Sequence, residues 1–160
     1  LEKFSGGKRR SEIVGCVKNK FGQDIIFIDD YGHHPTAIKT TLAGFRQFYK
    51  DHKIIVDFMS HTYTRTAALL EEFASSFESA DMVVINKIYG SAREKADSTT
   101  VTGKILAEHA KKYHPNVVYA KEFEEAAQRK RAEQKVRCKR WICFCYNGSR
   151  RQFQSRQNGS

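Results

Sequence analysis

Between Ile25 and Pro35 the chain reads Ile-Ile-Phe-Ile-Asp-Asp-Tyr-Gly-His-His-Pro, so two carboxylates, a phenol and two imidazoles follow directly on four apolar side chains. Asp29 and Asp30 supply oxygens that suit three uses: binding a divalent metal, holding the diol of a ribose, or capping the helix that follows. His33 and His34 add ring nitrogens to the same short stretch. A second polar cluster, Ser60-His61-Thr62-Tyr63-Thr64-Arg65-Thr66, contains in Arg65 a permanent cation whose planar fork matches a carboxylate. Each group also has a plainer use. An aspartate here most commonly caps a helix or makes an Asx turn, His34 beside Pro35 suits a structural partner at a helix start, and Arg65 or Arg10 can be a charge held in water.

The elements around these residues decide whether they can act together. Ile25–Ile28 is an apolar run without alternation, the pattern of a strand buried on both faces. Pro35 then opens a helical pattern, where its missing N–H costs nothing. The polar cluster therefore falls between the carboxyl end of a central strand and a helix N-terminus, the place where open α/β sheets bind ligands and free N–H groups attract anions. Ile38, Leu42, Phe45 and Tyr49 keep helical spacing from Pro35 to Tyr49. Lys53–Met59 reads as a second buried strand, neighbour to the first, with His61–Arg65 at its carboxyl end. Thr66–Phe77 reads as a helix, Asp81–Asn86 as a strand, Thr100–Tyr113 as a helix stopped by His114-Pro115-Asn116, and Asn116–Ala120 as a short strand, with helix again from Lys121. Upstream, Arg9–Val17 alternates like a strand, and Lys18–Gly22 suits a hairpin turn into the central strand. Strands alternating with helices imply an α/β, three-layer Rossmann-like domain: a mainly parallel sheet with one antiparallel edge strand and helices on both faces.

The wording Asp29-Asp30-Tyr31-Gly32-His33-His34-Pro35-Thr36 resembles the signature that opens the C-terminal domain of the Mur peptide ligases. Ser60–Thr66 and Ile88-Tyr89-Gly90-Ser91-Ala92-Arg93-Glu94 are further matches in the same order, and the resemblance covers roughly residues 8–125. It is closest to the branch that joins L-alanine to UDP-N-acetylmuramate at the expense of ATP. The resemblance implies roles for single residues: Asp30 at the nucleotide ribose, Arg10 near the ATP phosphates, Tyr31 and His33 facing the incoming amino acid, and His61 with Arg65 beside its carboxylate. Some members carry a second arginine where this chain has Thr62, which weakens the clamp the resemblance implies. It also implies that ATP and Mg2+ are held mainly by a central domain and the UDP-sugar by an N-terminal one. No Gly-x-x-x-x-Gly-Lys-Ser/Thr phosphate loop occurs in these 160 residues. On this reading the chain supplies one wall of an active site, has no catalytic residue of its own, and is inactive alone. Its partners are then ATP, L-alanine, UDP-N-acetylmuramate and the other domains of the same enzyme, in the bacterial cytoplasm.

Two alternatives stand beside it. Asp29, Asp30, His33 and His34 would serve a metal-dependent phosphoesterase, and a different Mur-type ligase, such as the enzyme that recycles the murein tripeptide, shares much of the wording. A nucleic-acid role is suggested by 28 Lys+Arg against 18 Asp+Glu, a net charge of +10. That excess is local: ten basic residues and one acid lie from Gln128 onward, leaving 18 and 17 before it. Nothing approaches membrane-spanning length and no signal peptide is apparent, so a soluble, intracellular protein is expected.

Residues 1–7 read as a linker remnant, 8–135 as the domain, and 136–160 as an anomalous basic tail. Cys138, Cys143 and Cys145 lie in that tail with spacings that match no common zinc pattern, and no histidine follows His114. Where the resemblance implies a last strand and a glycine-rich turn, the chain has Trp141–Phe153. One permitted set of codons for Tyr146–Phe153, shifted by one base, yields Thr-Met-Gly-Ala-Gly-Asp-Asn, the expected turn, and Trp141–Cys145 shifts to Gly-Phe-Val-Phe-Val. A single-base frameshift is therefore the expectation for this tail, a genuine basic or nucleic-acid-binding arm the alternative.

Overall fold

The computed structural model describes residues 10–18, 21–90, 100–121 and 141–146. The first described elements form a hairpin: β1 (Glu12–Lys18) pairs antiparallel with β2 (Asp24–Asp30). Gly22, at φ +75°, takes the left-handed conformation the turn requires, and Lys18 Nζ donates to Asp24 Oδ1 across its base at 2.9 Å. A register shift between Ile13 and Gly15 sets Glu12 opposite Asp29.

From β2 the chain enters α1 (Pro35–Phe48) and then β3 (Lys53–Phe58). Two short helices, α2 (Tyr63–Ala68) and α3 (Leu70–Ala74), lead to β4 (Met82–Asn86). Then follow α4 (Gly103–Ala110), β5 (Val117–Ala120) and β6 (Trp141–Tyr146). Among the described residues one six-stranded sheet results, in the order β1-β2-β6-β3-β4-β5, parallel except for the β1 edge. This is the α/β architecture expected, antiparallel edge included.

The neighbour relation of the two key strands differs from expectation. β2 and β3 do not pair, because β6 lies between them and pairs with both: Cys145 is in register with Asp29 on one side and Asp57 on the other. β6 falls within the stretch read from the sequence as an anomalous tail. The helix expected from Lys121 onward lies outside the described residues, as do residues 1–7 and most of the 87–99 loop.

Strand alternation divides the core. Ile28, Ile54, Val56, Phe58, Val83, Ile85 and Ile142 pack against Ile38 and Leu42 of α1, Phe73 of α3, Phe77, and Leu106 and Ala107 of α4. A smaller cluster of Ile25, Ile55, Met82, Val84 and Ala120 occupies the other face. Each large side chain fully withdrawn from water contributes roughly 1.5–3 kcal/mol, and β3 and β4 supply Ile54, Ile55, Val56, Phe58, Val83, Val84 and Ile85 to that burial. The helix expected over Thr66–Phe77 is instead two pieces beginning at Tyr63. Leu69 breaks them at φ −122°, ψ 32°, while its apolar neighbours still reach the core. Helix α4 is shorter than expected because Thr102 caps it, its side chain accepting from the Ile105 N–H.

At the opposite end of the sheet from the polar clusters, Asp81 ties three elements together. It accepts from Arg46 of α1, from Lys53 Nζ at 2.8 Å and from the Ile54 N–H at 2.8 Å. Arg46 also donates to the carbonyls of Ser79 and His52. Partial burial opposes the Asp81 charge, but the hydrogen bonds from Lys53, Ile54 and Arg46 outweigh it and hold the carboxyl below its usual range.

Candidate functional site

The carboxyl end of β2, the start of β1 and the first turns of α1 enclose an open cavity of about 330 Å³, lined by Arg10, Ser11, Asp30, Tyr31, His33 and His34 among others. Asp30 is nearly buried, at 8% exposure. Its Oδ2 accepts from the Ser11 N–H at 2.7 Å and from Ser11 Oγ at 3.1 Å, and its Oδ1 from the Gly32 N–H at 2.6 Å. Ser11 reaches it with φ at +49°, a left-handed conformation uncommon outside glycine. The Gly32 bond is an Asx turn, so the plainer reading of this aspartate holds in part. A carboxylate offers about four acceptor positions, and these bonds occupy three of them.

His34 is the N-cap of α1, its Nδ1 accepting from the Thr36 N–H at 3.3 Å, and Pro35 takes the first turn. No acidic residue stands in that turn, so the positive end of the helix dipole is not offset locally. Arg10 is exposed beside it. Tyr31 is 46% exposed and tilts against His33 with ring centroids 5.5 Å apart, while His33 Nδ1 lies 3.2 Å from the Tyr31 carbonyl. Asp29, one residue before Asp30 on the strand, points to the other face of the sheet. With Asp29 turned away, Asp30 tied to Ser11 and Gly32, and His34 capping a helix, the four residues named for the phosphoesterase alternative do not converge. Among the described residues no three His, Cys, Asp or Glu side chains gather in a metal-binding arrangement, and that alternative finds no support.

His61 and Arg65 sit at the end of β3, not on the cavity wall. Thr62 caps α2 by accepting from the Arg65 N–H at 3.4 Å, and its carbonyl accepts from Thr66 Oγ1 at 2.7 Å. It does so at φ +74°, a conformation that strains a β-branched residue by about 1–3 kcal/mol. Thr66 is fully buried and shares a hydrogen bond with Ser60 Oγ. The Thr-x-x-x-Thr pattern is thus a scaffold for the loop, with His61 and Arg65 half-buried at its surface.

The fold therefore brings together Arg10, Asp30, Tyr31 and His33, and sets His61 and Arg65 apart from them by the width of β6. Two participants were missed in the sequence. Ser11 carries no motif, and only the hairpin register places it at Asp30. Tyr89, which stacks on His61 at a centroid distance of 5.6 Å, lies 28 residues downstream in a loop with no assigned chemistry.

Comparison with known proteins adds the following. Residues 9–145 match the family model for the Mur ligase, glutamate ligase domain. UDP-N-acetylmuramate–L-alanine ligase of Treponema pallidum (strain Nichols) is 50% identical over 135 residues, which is 84% of this chain and 27% of the relative. The enzyme of the same name from Sulfurihydrogenibium sp. is 42% identical over 126 residues, 79% of this chain and 26% of the relative. The chain thus spans little more than a quarter of the length of these curated relatives. Among solved structures, the UDP-N-acetylmuramate-alanine ligase MurC of Thermotoga maritima is similar over all of this chain and 32% of its own, with TM-score 0.65 at 23% identity. A murein peptide ligase of Psychrobacter arcticus gives TM-score 0.66 at 22% identity, again over all of this chain and 32% of its own. At those identities the likeness is one of fold.

Proposed function

Because the chain belongs to the Mur ligase family, as its glutamate ligase domain, we propose that it is the C-terminal domain of an ATP-dependent ligase joining L-alanine to UDP-N-acetylmuramate for peptidoglycan synthesis. The observation that carries this reading is the meeting of Asp30, Arg10 and the α1 N-terminus in one cavity. A diol acceptor there stands beside two sources of positive potential, a fit to a nucleotide. The 50% identity to the T. pallidum enzyme supports the choice of L-alanine over other amino acids.

In the proposed reaction the muramate carboxylate takes the γ-phosphoryl group of ATP, releasing ADP and forming an acyl phosphate. The alanine amino group then attacks the acyl carbon and phosphate leaves. This domain's part is positioning and charge. Asp30 keeps an acceptor position for a ribose hydroxyl, Arg10 faces the phosphates, and Tyr31 and His33 border the space for the amino acid. His61 and Arg65, across β6, bind its carboxylate once the remaining domains close over the sheet end, so domain closure belongs to the cycle. Mg2+ accompanies the ATP phosphates. No carboxylate cluster among the described residues is placed to hold it, and its ligands are assigned to the rest of the ligase. Such chemistry on nucleotide-linked precursors belongs in the bacterial cytoplasm; no described helix is long and apolar enough to cross a membrane.

The test is ADP release by the full-length polypeptide carrying this domain. Release should require both UDP-N-acetylmuramate and L-alanine, and residues 1–160 alone should give none. Phosphomonoester hydrolysis by the 160-residue chain with Mn2+ or Zn2+, or a preference of the full-length protein for a tripeptide over L-alanine, would overturn the proposal.

A further inference from the structure

The parallel pairing of β3 with β4 ends at Phe58 and Ile85 but resumes as an isolated bridge between His61 and Tyr89. Two residues lie between Phe58 and His61 and three between Ile85 and Tyr89, so the β4 side carries one extra residue. Ile88 uses that extra length to turn inward, at 5% exposure. The bridge is closed by two backbone hydrogen bonds: the Tyr89 N–H donates to the Ser60 carbonyl at 2.8 Å, and the Thr62 N–H to the Tyr89 carbonyl at 2.9 Å. These bonds bracket His61, and the second is donated by Thr62, whose positive φ is a conformation that persists only where its surroundings enforce it. Gly90 follows, so close to the Tyr63 ring that a Cβ there would lie 2.8 Å from Cε2.

The outcome is a ring platform. Tyr89, itself 58% exposed, lies nearly parallel to the imidazole of His61, with 26° between the planes. An exposed tyrosine held by two backbone bonds against a half-buried histidine adds little to the core. Its effect is on the histidine, whose ring it confines to one orientation at the rim of the sheet.

We propose that Tyr89 is a positioning residue for His61, and that the Ile88–Gly90 segment sets the geometry in which His61 and Arg65 receive the carboxylate of the amino-acid substrate. The inference rests on the amino-acid-binding role proposed above for His61. It also gives the departure at Thr62 a physical sense: with one cation fewer than some relatives, the pocket depends more on the orientation of the donors it keeps.

The experiment is steady-state kinetics of the full-length polypeptide carrying this domain, comparing His61→Ala, Tyr89→Leu and Tyr89→Phe. Loss of an oriented ring contact is worth on the order of tenfold in affinity. Tyr89→Leu should therefore raise KM for L-alanine by about that factor, with KM for ATP and the melting temperature unchanged, and Tyr89→Phe, which keeps the ring, should restore it. An alanine KM within twofold for Tyr89→Leu, while His61→Ala raises it, overturns the inference and leaves the site reading standing. Parallel rises in both KM values with a lowered melting temperature also overturn it, since they mark a purely structural role. If His61→Ala itself leaves the alanine KM unchanged, the site reading fails and this inference with it.

Discussion

Ser11 holds Asp30 by two hydrogen bonds, one from its backbone N–H and one from its hydroxyl, both to the same carboxylate oxygen. The first strand of the sheet is thereby fastened to the residue proposed to meet the ribose. Replacing the carboxylate by an amide in Asp30→Asn sets an NH2 group against one or more of these donors. A buried polar mismatch of this kind costs about 1–3 kcal/mol. The variant should melt earlier and the full-length protein should show a raised KM for ATP. Ser11→Ala removes only the hydroxyl bond and should cost about 1 kcal/mol, with the melting temperature as the readout.

The clamp at the far end of the sheet sets a pH dependence. Asp81 has its carboxyl held below the ordinary value of 3.8, so its folded pKa is depressed relative to the unfolded chain. Its contribution to stability is complete above that ordinary value and is lost as pH falls through the depressed one. Urea denaturation from pH 7 down to pH 3 should show an acid limb that flattens in Asp81→Asn. Arg46→Ala should lower stability at neutral pH by about 1–3 kcal/mol, because the Ser79 and His52 carbonyls and Asp81 lose a shared donor.

Helix α4 meets the end of β4 without room for a side chain. A Cβ on Gly103 would stand 2.2 Å from the Asn86 carbonyl oxygen and 3.1 Å from the Lys87 Cα, both backbone atoms. Gly103→Ala therefore gains helix propensity but must push α4 off the strand, and overpacking of this kind costs about 1–3 kcal/mol. Equilibrium denaturation should register the loss. A neutral or stabilising result would mean that α4 starts farther from β4 than the structure places it.

The place of β6 can be tested through Ile142, which is fully buried in the main core. Ile142→Ala should destabilise the domain by about 2–5 kcal/mol, as expected for a central strand and not for a tail. We also propose, from the codon argument, that the text around this strand is read one base out of frame. Sequencing of the gene should reveal a one-base change that restores Gly-Phe-Val-Phe-Val followed by Thr-Met-Gly-Ala-Gly-Asp-Asn. A gene encoding Trp141–Ser160 in frame in a full-length active ligase would sink the proposal.

The sequence by itself determined the kinds and order of most elements from β1 to β5, since each is specified by a local period: unbroken apolar runs at Ile25–Ile28 and Ile54–Val56 for buried strands, a helical stripe through Ile38 and Leu42, and Pro35 at a helix start. It determined His34 as a structural partner at the helix start, which the structure specifies as the N-cap. Asp30, Tyr31 and His33 were legible as a group through one strand end, while Arg10 entered only through the family resemblance. Tertiary structure alone decided which strands are neighbours, for pairing depends on residues far apart in the chain: β6 enters between β2 and β3 and so parts His61 and Arg65 from the Asp30 cavity. It alone brought Ser11 to Asp30, through a one-residue register shift in β1, and Tyr89 to His61, through one extra residue after β4. A single residue of register leaves the hydrophobic pattern almost unaltered, yet it reverses the side to which every later side chain points.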